Sequence, residues 1–385
     1  MIYKSKPNFQ NHPFHLVSPS PWPLYTSVSL FILVTSTVLF LHGFEFFTYL
    51  VIFSLLNTIY TLTLWFRDII SEGKRNIVSI LSNRYLNMAK AIDKEEIKHI
   101  RDQLDVNKFN LNKDQFGYYL AGLLEGDGSI NLPFLGSTTL NRILNPRIVF
   151  TSHINNIEMY VYIQSMLEGK GRFQLVNDNT IRYIIGDIEG IILFINIVHN
   201  KLRTPKNETF NKLIDFINKK YNLKISSSIL DKSDLLTNSW FTGFTEADGH
   251  FGVKIVEAKP KSNTRKRSVS NSISLKFRLD QRFFDKVTSL SMLSIMEELA
   301  KFLSCKLSVY VGIKNNNILS LNVVAIDKVK FVIDYFNKYP LLGTKYKDFK
   351  DWEIVYNMII SKEHLTDDGK LKIKSIQSNM NSRRI

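Results

Sequence analysis

Residues 118 to 130 read Tyr118-Tyr-Leu-Ala-Gly-Leu-Leu-Glu-Gly-Asp-Gly-Ser-Ile130, and their spacing of small, apolar and acidic residues occurs a second time. The second copy reads Trp240-Phe-Thr-Gly-Phe-Thr-Glu-Ala-Asp-Gly-His-Phe251, and its aspartate follows the first by 121 residues. In each copy a glycine interrupts an apolar helical run, a glutamate comes three residues later, and an Asp-Gly pair ends the segment. The matching residues are Gly122 and Gly243, Glu125 and Glu246, and Asp127 and Asp248.

The segments after each copy repeat one order of predicted elements. After the first copy we expect strands at 128–132 and 147–154, a helix at 157–167, strands at 172–176 and 180–185, and helices at 188–202 and 207–221. After the second copy we expect strands at 250–257 and 272–280, a helix at 288–303, strands at 306–313 and 318–325, and helices at 328–337 and 345–361. Units that match element by element indicate an internal duplication. The predicted fold class is α+β, with two pseudo-two-fold-related αββαββα halves packed through the motif helices.

The composition divides the chain into five segments. Residues 113–225 and 226–362 are the two predicted halves, residues 74–112 a solvated linker with one or two helices, and residues 363–385 a loosely ordered polar tail. Residues 1–73 contain two nearly uncharged runs, at 25–41 and 44–66, which are long enough to cross a bilayer. We therefore predict an N-terminal segment with two transmembrane helices.

The charge of the chain favours a polyanionic partner. Lys and Arg number 50 against 35 Asp and Glu, giving a net charge of +15 and a pI near 9.5. Nucleic acid is favoured over anionic lipid as the partner of so basic a chain, although organellar proteins are often basic without binding either. The single cysteine, Cys305, excludes an intrachain disulfide framework and a zinc site built on several thiolates.

The first segment has a recognisable counterpart. The stretch from His15 to Pro23 and the stretch from Trp65 to Ile70 resemble the amino terminus of mitochondrial cytochrome c oxidase subunit 3. The resemblance implies an exon translated in frame into an intron, and a mitochondrial location with the N-terminal segment in the inner membrane unless it is removed. A composition with 27 Phe but only 17 Gly and 10 Pro is typical of translation from an AT-rich genome such as a mitochondrial one.

The repeated glycine and aspartate predict a metal site. Glycine inside a helix costs about 1 kcal/mol relative to alanine, so its recurrence indicates two helices in close contact. Such helices, packed in parallel, bring Asp127 and Asp248 together, and the two carboxylates repel unless a cation lies beside them. Oxygen ligands of this kind select Mg²⁺ or a similar hard ion such as Mn²⁺. Two equivalent carboxylates in a basic protein fit hydrolysis of phosphodiesters, with one nick in each strand.

Basic residues on and between the predicted strands are candidates for DNA contact. Strands with alternating polar side chains can lie in the major groove and read base edges, and the basic loop 259–267 can contact phosphates, though charge runs are usually only solvated. The predicted DNA-binding residues are Arg147, Lys254, Lys259, Lys261, Arg265, Lys266, Arg267, Lys276 and Arg278.

The two motifs resemble those of the LAGLIDADG homing endonucleases, of the single-chain, double-motif kind found in organellar introns. The resemblance implies that Asp127 and Asp248 bind the catalytic metal, together with the backbone carbonyls of Gly126 and Ala247. It implies that Glu125, Glu246, Gly122 and Gly243 support the paired helices. It also implies catalytic roles for Lys206 and Lys345, and for Gln281, whose counterpart in the first half is expected at His153.

The function expected from these features is site-specific double-strand DNA cleavage for intron homing, by a monomeric endonuclease. The alternative is a maturase that binds its own intron RNA and assists splicing. A third interpretation, a membrane subunit with an inert tail, requires the duplication to be accidental.

Overall fold

The computed structural model describes residues 21–44, 46–86, 90–92, 94–104, 111–133, 144–258, 268, 271–312 and 317–381. The chain divides into two compact units, Met1–Met88 and Ala89–Ile385. The five predicted DNA-contacting residues of the loop 259–267 lie outside the described residues.

The N-terminal unit is a helical hairpin. Helix α1 (Trp22–Leu41) and helix α2 (Phe47–Leu86) pack against each other, and small polar side chains lie in the contact. Asn57 donates a hydrogen bond to Ser29 across it (2.7 Å), and the hydroxyls of Ser36 and Ser54 are 3.4 Å apart. Apolar side chains face outward, as expected for helices that pack in lipid. The segments Trp22–Leu41 and Phe47–Arg67 are long and apolar enough to cross a membrane.

The first half of the second unit begins with two short elements and then follows the predicted order. They are β1 (Lys90–Ala91), α3 (Lys94–Gln103), α4 (Lys113–Gly126), β2 (Gly128–Asn131), β3 (Arg147–His153), α5 (Ile157–Met166), β4 (Arg172–Asn177), β5 (Thr180–Ile185), α6 (Ile188–Val198) and α7 (Lys206–Tyr221).

The second half repeats that order and adds one helix. Its elements are α8 (Trp240–Asp248), β6 (Gly249–Val256), β7 (Ser272–Arg282), α9 (Leu293–Phe302), β8 (Leu307–Val311), β9 (Asn317–Val323), α10 (Ile326–Lys338), α11 (Lys345–Ile360) and α12 (Asp367–Asn379).

The two antiparallel sheets have the same topology. The strand order is β1-β4-β5-β3-β2 in the first sheet and β6-β7-β9-β8 in the second. Without β1, each strand has its counterpart at the same place in the other sheet, and the predicted fold of two αββαββα halves is confirmed.

The halves meet along α4 and α8, and glycine allows the close approach. A Cβ atom added at Gly122 would overlap the carbonyl oxygen of Trp240 and lie 2.7 Å from the amide nitrogen of Phe244. A Cβ atom at Gly243 would in the same way overlap the carbonyl oxygen of Tyr119. The predicted role of both glycines in close helix packing therefore agrees with the geometry.

Three local expectations were wrong. Part of the supposed linker belongs to the first half, since β1 pairs with β4 and α3 packs on α5 with Ile97 buried. The supposed loose tail contains α12, which buries Ile373 and lies against α11 and β6. The helix expected from residue 288 begins at Leu293, because the preceding residues form a turn.

Candidate active site

The paired motif helices end side by side. Asp127 is the C-cap of α4, where its N–H donates to the carbonyls of Leu123 and Leu124, and Asp248 is the last residue of α8. A Cβ atom added at Gly126 would lie 3.2 Å from Asp248 Oδ2, so the end of one helix touches the carboxylate of the other. The packing of α4 on α8 thus brings together the two aspartates that the sequence motif predicts.

The two carboxylates destabilise each other's charge. Asp127 is an exposed residue at the end of α4, yet the surrounding protein removes much of the water around its carboxylate. That loss of hydration, together with the charge of Asp248, raises the pKa of Asp127 to about 6. Loss of hydration also raises the pKa of Asp248, against the opposing effects of Gln281, Lys345 and Lys206.

A lysine caps the end of each motif helix. Lys206 begins α7, and its Nζ donates to the carbonyls of Leu124 (2.8 Å), Glu125 (2.9 Å) and Gly128 (2.7 Å). Lys345 begins α11, and its Nζ donates to the carbonyls of Thr245 (3.1 Å) and Ala247 (2.6 Å). Except for that of Gly128, which begins β2, these carbonyls lie at the negative end of a helix dipole and need donors. Burial lowers the pKa of both lysines, so each is a partly desolvated donor beside the aspartates.

Each motif glutamate connects its helix to a loop of the same half, the loop before α7 in the first half and the loop before α11 in the second. Glu125 accepts hydrogen bonds from the backbone N–H groups of Arg203 and Thr204, and Glu246 accepts from those of Leu342 and Gly343. Burial raises the pKa of both glutamates, while these bonds favour the charged form. The expectation that they support the helices is consistent with this arrangement.

The glutamates also connect the two halves, through residues that the sequence analysis missed. Trp240 Nε1 of the second half donates to Glu125 (2.6 Å), and Tyr119 OH of the first half lies 3.4 Å from Glu246. Tyr119 and Trp240 are 121 residues apart, like the aspartates, so the repeat itself contained the signal.

The second strand of each half, β3 or β7, is expected to carry a polar residue of the site, and this residue differs between the halves. Gln281 Nε2 donates to Asp248 Oδ2 at 2.6 Å, so the structure brings this predicted residue into the site. Phe150 pairs with Gly128 and Leu279 pairs with Gly249, which makes Ser152 the counterpart of Gln281. The expected counterpart, His153, is therefore wrong by one residue, and its ring accepts a hydrogen bond from the N–H of Asn155.

The residues present fit a hard divalent cation. Asp127 and Asp248 offer carboxylate oxygens whose repulsion a cation would relieve, and the carbonyl of Ala247 has a second lone pair beside the one that accepts from Lys345. No group of three His, Cys, Asp or Glu side chains suited to a metal occurs in the described part of the chain. The ligand set is thus oxygen-only and sparse, which suits an ion that keeps several waters, as Mg²⁺ does.

Three of the predicted DNA-contacting residues, Lys254, Lys276 and Arg278, share one face of the second sheet. His250 pairs with Arg278, Gly252 with Lys276 and Lys254 with Ser274, whereas the alternate residues Phe251 and Phe277 are buried on the other face. Arg278 is held by Asp280 (2.6 Å) and by the hydroxyl of Tyr310 (2.8 Å). Arg147 is exposed at the start of β3 in the first sheet. A basic face thus extends along β6 and β7 from the helix ends.

A groove beside the helix ends joins the halves. It has a volume of about 460 Å³ and is lined by β2 on one side and by the end of β7 and the following loop on the other. Lys206, Asp248 and Gln281 also line it. The groove therefore brings the carboxylate of Asp248, the ammonium group of Lys206 and the amide of Gln281 together between the two sheets.

The chain belongs to the family of the LAGLIDADG endonucleases. The profile of the LAGLIDADG endonucleases matches residues 120–217 and 241–356, which confirms the resemblance seen in the two motifs. The profile of cytochrome c oxidase subunit III matches residues 12–80, which confirms the resemblance of the N-terminal segment.

Individual proteins agree with both matches. The chain is 73% identical over 73 residues to cytochrome c oxidase subunit 3 of Emericella nidulans, covering 19% of this chain and 27% of that protein. It is 30% identical over 267 residues to the intron-encoded DNA endonuclease aI3 of Saccharomyces cerevisiae, covering 63% of each. The chain thus spans about a quarter and about two thirds of these relatives, and it is of mitochondrial origin.

A solved structure shares the fold. The LAGLIDADG homing endonuclease I-GzeII, crystallised in complex with its DNA target, superposes with a TM-score of 0.56 at 21% identity. The match covers 70% of this chain and 99% of that one.

Proposed function

We propose that this protein is a site-specific endonuclease that cuts both strands of duplex DNA, using a divalent metal ion held by Asp127 and Asp248. The observation that carries the proposal is the meeting of these carboxylates, with the raised pKa of Asp127, at the junction of the two halves and beside the basic face of the second sheet. DNA binding by relatives of the same fold supports it.

Each residue of the site has a task in this chemistry. A bound Mg²⁺ or Mn²⁺ ion would supply the charge that polarises a phosphate and acidifies a water. Asp127, Asp248 and the carbonyls of Gly126 and Ala247 provide the oxygens that hold it. Gln281 fixes the orientation of Asp248 through the 2.6 Å hydrogen bond.

The two lysines provide positive charge without occupying the ligand oxygens of the aspartates. Lys206 and Lys345 are held on backbone carbonyls at the helix ends, so their ammonium groups lie close to the motif aspartates. There they can donate to a phosphate oxygen or orient a water that approaches it.

The basic faces supply binding and sequence preference. Lys254, Lys276 and Arg278 lie on the side of β6 and β7 that faces away from the core. A two-stranded ribbon of this kind fits the major groove, where side chains read base edges and contact phosphates. The pseudo-two-fold places one sheet on each side of the cleavage site.

The N-terminal segment indicates the target. A subunit III segment that precedes the endonuclease in one chain fits an exon read in frame into an intron. The proposed substrate is therefore the joined-exon sequence of that gene, and cutting it would allow the intron to spread. The two apolar helices would hold the segment in the inner membrane unless it is removed.

Cleavage by the purified full chain in detergent tests the proposal. With Mg²⁺ we expect one nick in each strand of a joined-exon duplex, and none in a control duplex whose junction is interrupted by the intron. A joined-exon duplex that is bound but remains intact with Mg²⁺ and with Mn²⁺ would contradict the proposed activity.

A further inference from the structure

The two halves differ in length where the second strand meets the next helix. In the first half α5 begins at Ile157, four residues after β3 ends at His153. In the second half α9 begins at Leu293, eleven residues after β7 ends at Arg282. The second half therefore carries seven additional residues in what we call the inserted loop, residues 283–292.

The inserted loop has a defined conformation. The carboxylate of Asp285 accepts hydrogen bonds from the N–H groups of Val287 (3.0 Å) and Thr288 (2.8 Å) and from the hydroxyl of Thr288 (2.9 Å). The N–H of Met292 donates to the carbonyl of Phe283 at 2.8 Å, which closes the base of the loop. The loop therefore presents its side chains from a fixed backbone.

Two large apolar side chains on this loop are exposed beside the active site. Phe284 is 56% and Val287 73% exposed, and both line the 460 Å³ groove together with Asp248 and Gln281. Single exposed apolar residues are common. Two on one fixed loop, with the cation of Lys286 between them and an active site beside them, indicate a binding surface.

The partner that fits this surface is the DNA itself. If the two sheets occupy major grooves about one helical turn apart, the minor groove faces the protein between them, where the aspartates lie. Proteins that bind the minor groove insert apolar side chains between base steps and so unstack them, while lysine and arginine contact the phosphates. Lys286 and Arg282 stand beside the apolar pair for that purpose.

We propose that the inserted loop is a wedge, in which Phe284 and Val287 press into the minor groove beside the scissile phosphates and unstack a base step there. This inference rests on the proposed endonuclease function. The wedge acts from one side only, since three residues join β3 to α5 in the first half and form no such loop. It makes cleavage depend on how easily the central base steps deform, even where no side chain reads a base.

The test compares the full-length wild-type chain with Phe284→Ser/Val287→Ser. The control variant is Leu290→Ser, which changes an exposed apolar residue of the same loop that does not line the groove. Joined-exon duplexes carry 2-aminopurine, a base whose fluorescence rises on unstacking, at successive positions between the mapped nicks. Binding and fluorescence are measured in EDTA, and cleavage is measured after addition of Mg²⁺.

The wedge predicts a fluorescence increase at one step with the wild-type chain and with Leu290→Ser, and none with the double variant. The double variant should cut at least about tenfold more slowly, since unstacking a step costs a few kcal/mol. A duplex with a mismatch at that step, which unstacks more easily, should restore its rate.

Two distinguishable outcomes would contradict the proposal that the inserted loop acts as a wedge. If the double variant gives wild-type fluorescence and wild-type cleavage, the wedge is wrong and the endonuclease stands. If the wild-type chain itself neither binds nor cuts the duplex, the proposed function fails and the wedge fails with it.

Discussion

At the scale of single residues, the carboxylates of Asp127 and Asp248 repel each other in the folded protein, and a bound cation would remove this repulsion. Loss of hydration and the charge of Asp248 raise the pKa of Asp127 from 3.8 to about 6. A carboxyl group whose pKa is higher in the folded protein binds its proton more tightly there than in the unfolded chain. The metal-free protein should therefore lose stability as the pH rises from about 4 to about 6.

The variant Asp127→Asn tests this linkage without any measurement of activity. In EDTA at pH 7.5 its Tm should exceed that of the wild type by about 1–3 °C, because the repulsion is gone, and the difference should shrink at pH 4.5. Added Mg²⁺ should raise the Tm of the wild type but have little effect on the variant. Asp215→Asn, an exposed carboxylate on α7, is the control. A variant no more stable than the wild type at either pH would contradict the linkage.

Glu125 illustrates a carboxylate that supports structure. Replacement by Gln keeps the shape but turns an NH₂ group toward the donors of Arg203, Thr204 or Trp240. We expect Glu125→Gln to lower the free energy of unfolding by about 1–3 kcal/mol in urea titrations. Glu297→Gln, on the exposed face of α9, should have little effect. Equal stability of the two variants would be evidence against the supporting role.

The residues of the site were predictable where they belong to the repeat. Asp127 and Asp248, the two glutamates and the two glycines stand at one offset, so a single comparison finds them all. The counterpart of Gln281 was assigned to His153 instead of Ser152, because the offset between the halves grows from 121 in the motif to 129 in the second strand. β6 and β7 are each four residues longer than β2 and β3, which accounts for that difference, and only the strand register reveals it.

At the scale of elements, the contact between α4 and α8 holds the site together. Gly122→Ala would drive a methyl group into the backbone of Trp240, and backbone cannot move aside as a flexible side chain can. We expect a loss of at least about 3 kcal/mol in the free energy of unfolding, in the range of overpacked cores, and loss of DNA cleavage.

Gly252→Ala is the matched control for that substitution. Its new Cβ atom would meet its nearest neighbour at 3.5 Å, an ordinary contact. Thermal unfolding of the two variants side by side measures the difference. A Gly122→Ala protein as stable as Gly252→Ala would mean that the helices pack differently from the structure.

The C-terminal helix α12 was not predicted because the composition of its segment is polar. Only Ile373, Ile376 and Met380 supply its apolar face, and the surrounding charges led to the expectation of a loose tail. The helix is anchored, since Gln377 donates to the carbonyl of Val253 at 2.6 Å and Asn381 to that of Phe251 at 3.0 Å.

Removal of residues 363–385 should therefore lower the Tm by several degrees, about 4–8 °C for a loss of roughly 2 kcal/mol. Removal of residues 382–385 alone, which keeps Asn381 and the whole of α12, should change it little. Differential scanning calorimetry of both truncations gives the comparison. Equal Tm values would indicate that α12 contributes no stability.

At the scale of the whole molecule, the order of elements followed from the duplication, because each half predicts the other. The duplication does not predict turn lengths, and for that reason the last five residues of the inserted loop, 288–292, were assigned to the following helix. The N-terminal unit is a hairpin of two apolar helices with a seam of serine and threonine. Its sequence matches cytochrome c oxidase subunit III, while the residues of the proposed cleavage chemistry belong to the second unit.

The proposed cutting of two strands involves the whole duplicated molecule, and it requires both motif aspartates. The most direct measurement is Mg²⁺-dependent cleavage of the joined-exon duplex by the full-length wild type, Asp127→Asn, Asp248→Asn and the control Asp215→Asn. We predict that wild type and control make a double-strand break. Each motif variant should lose at least about two orders of magnitude in rate, more than loss of a group that only contacts a metal ligand. Cleavage at the wild-type rate by either motif variant would contradict the account.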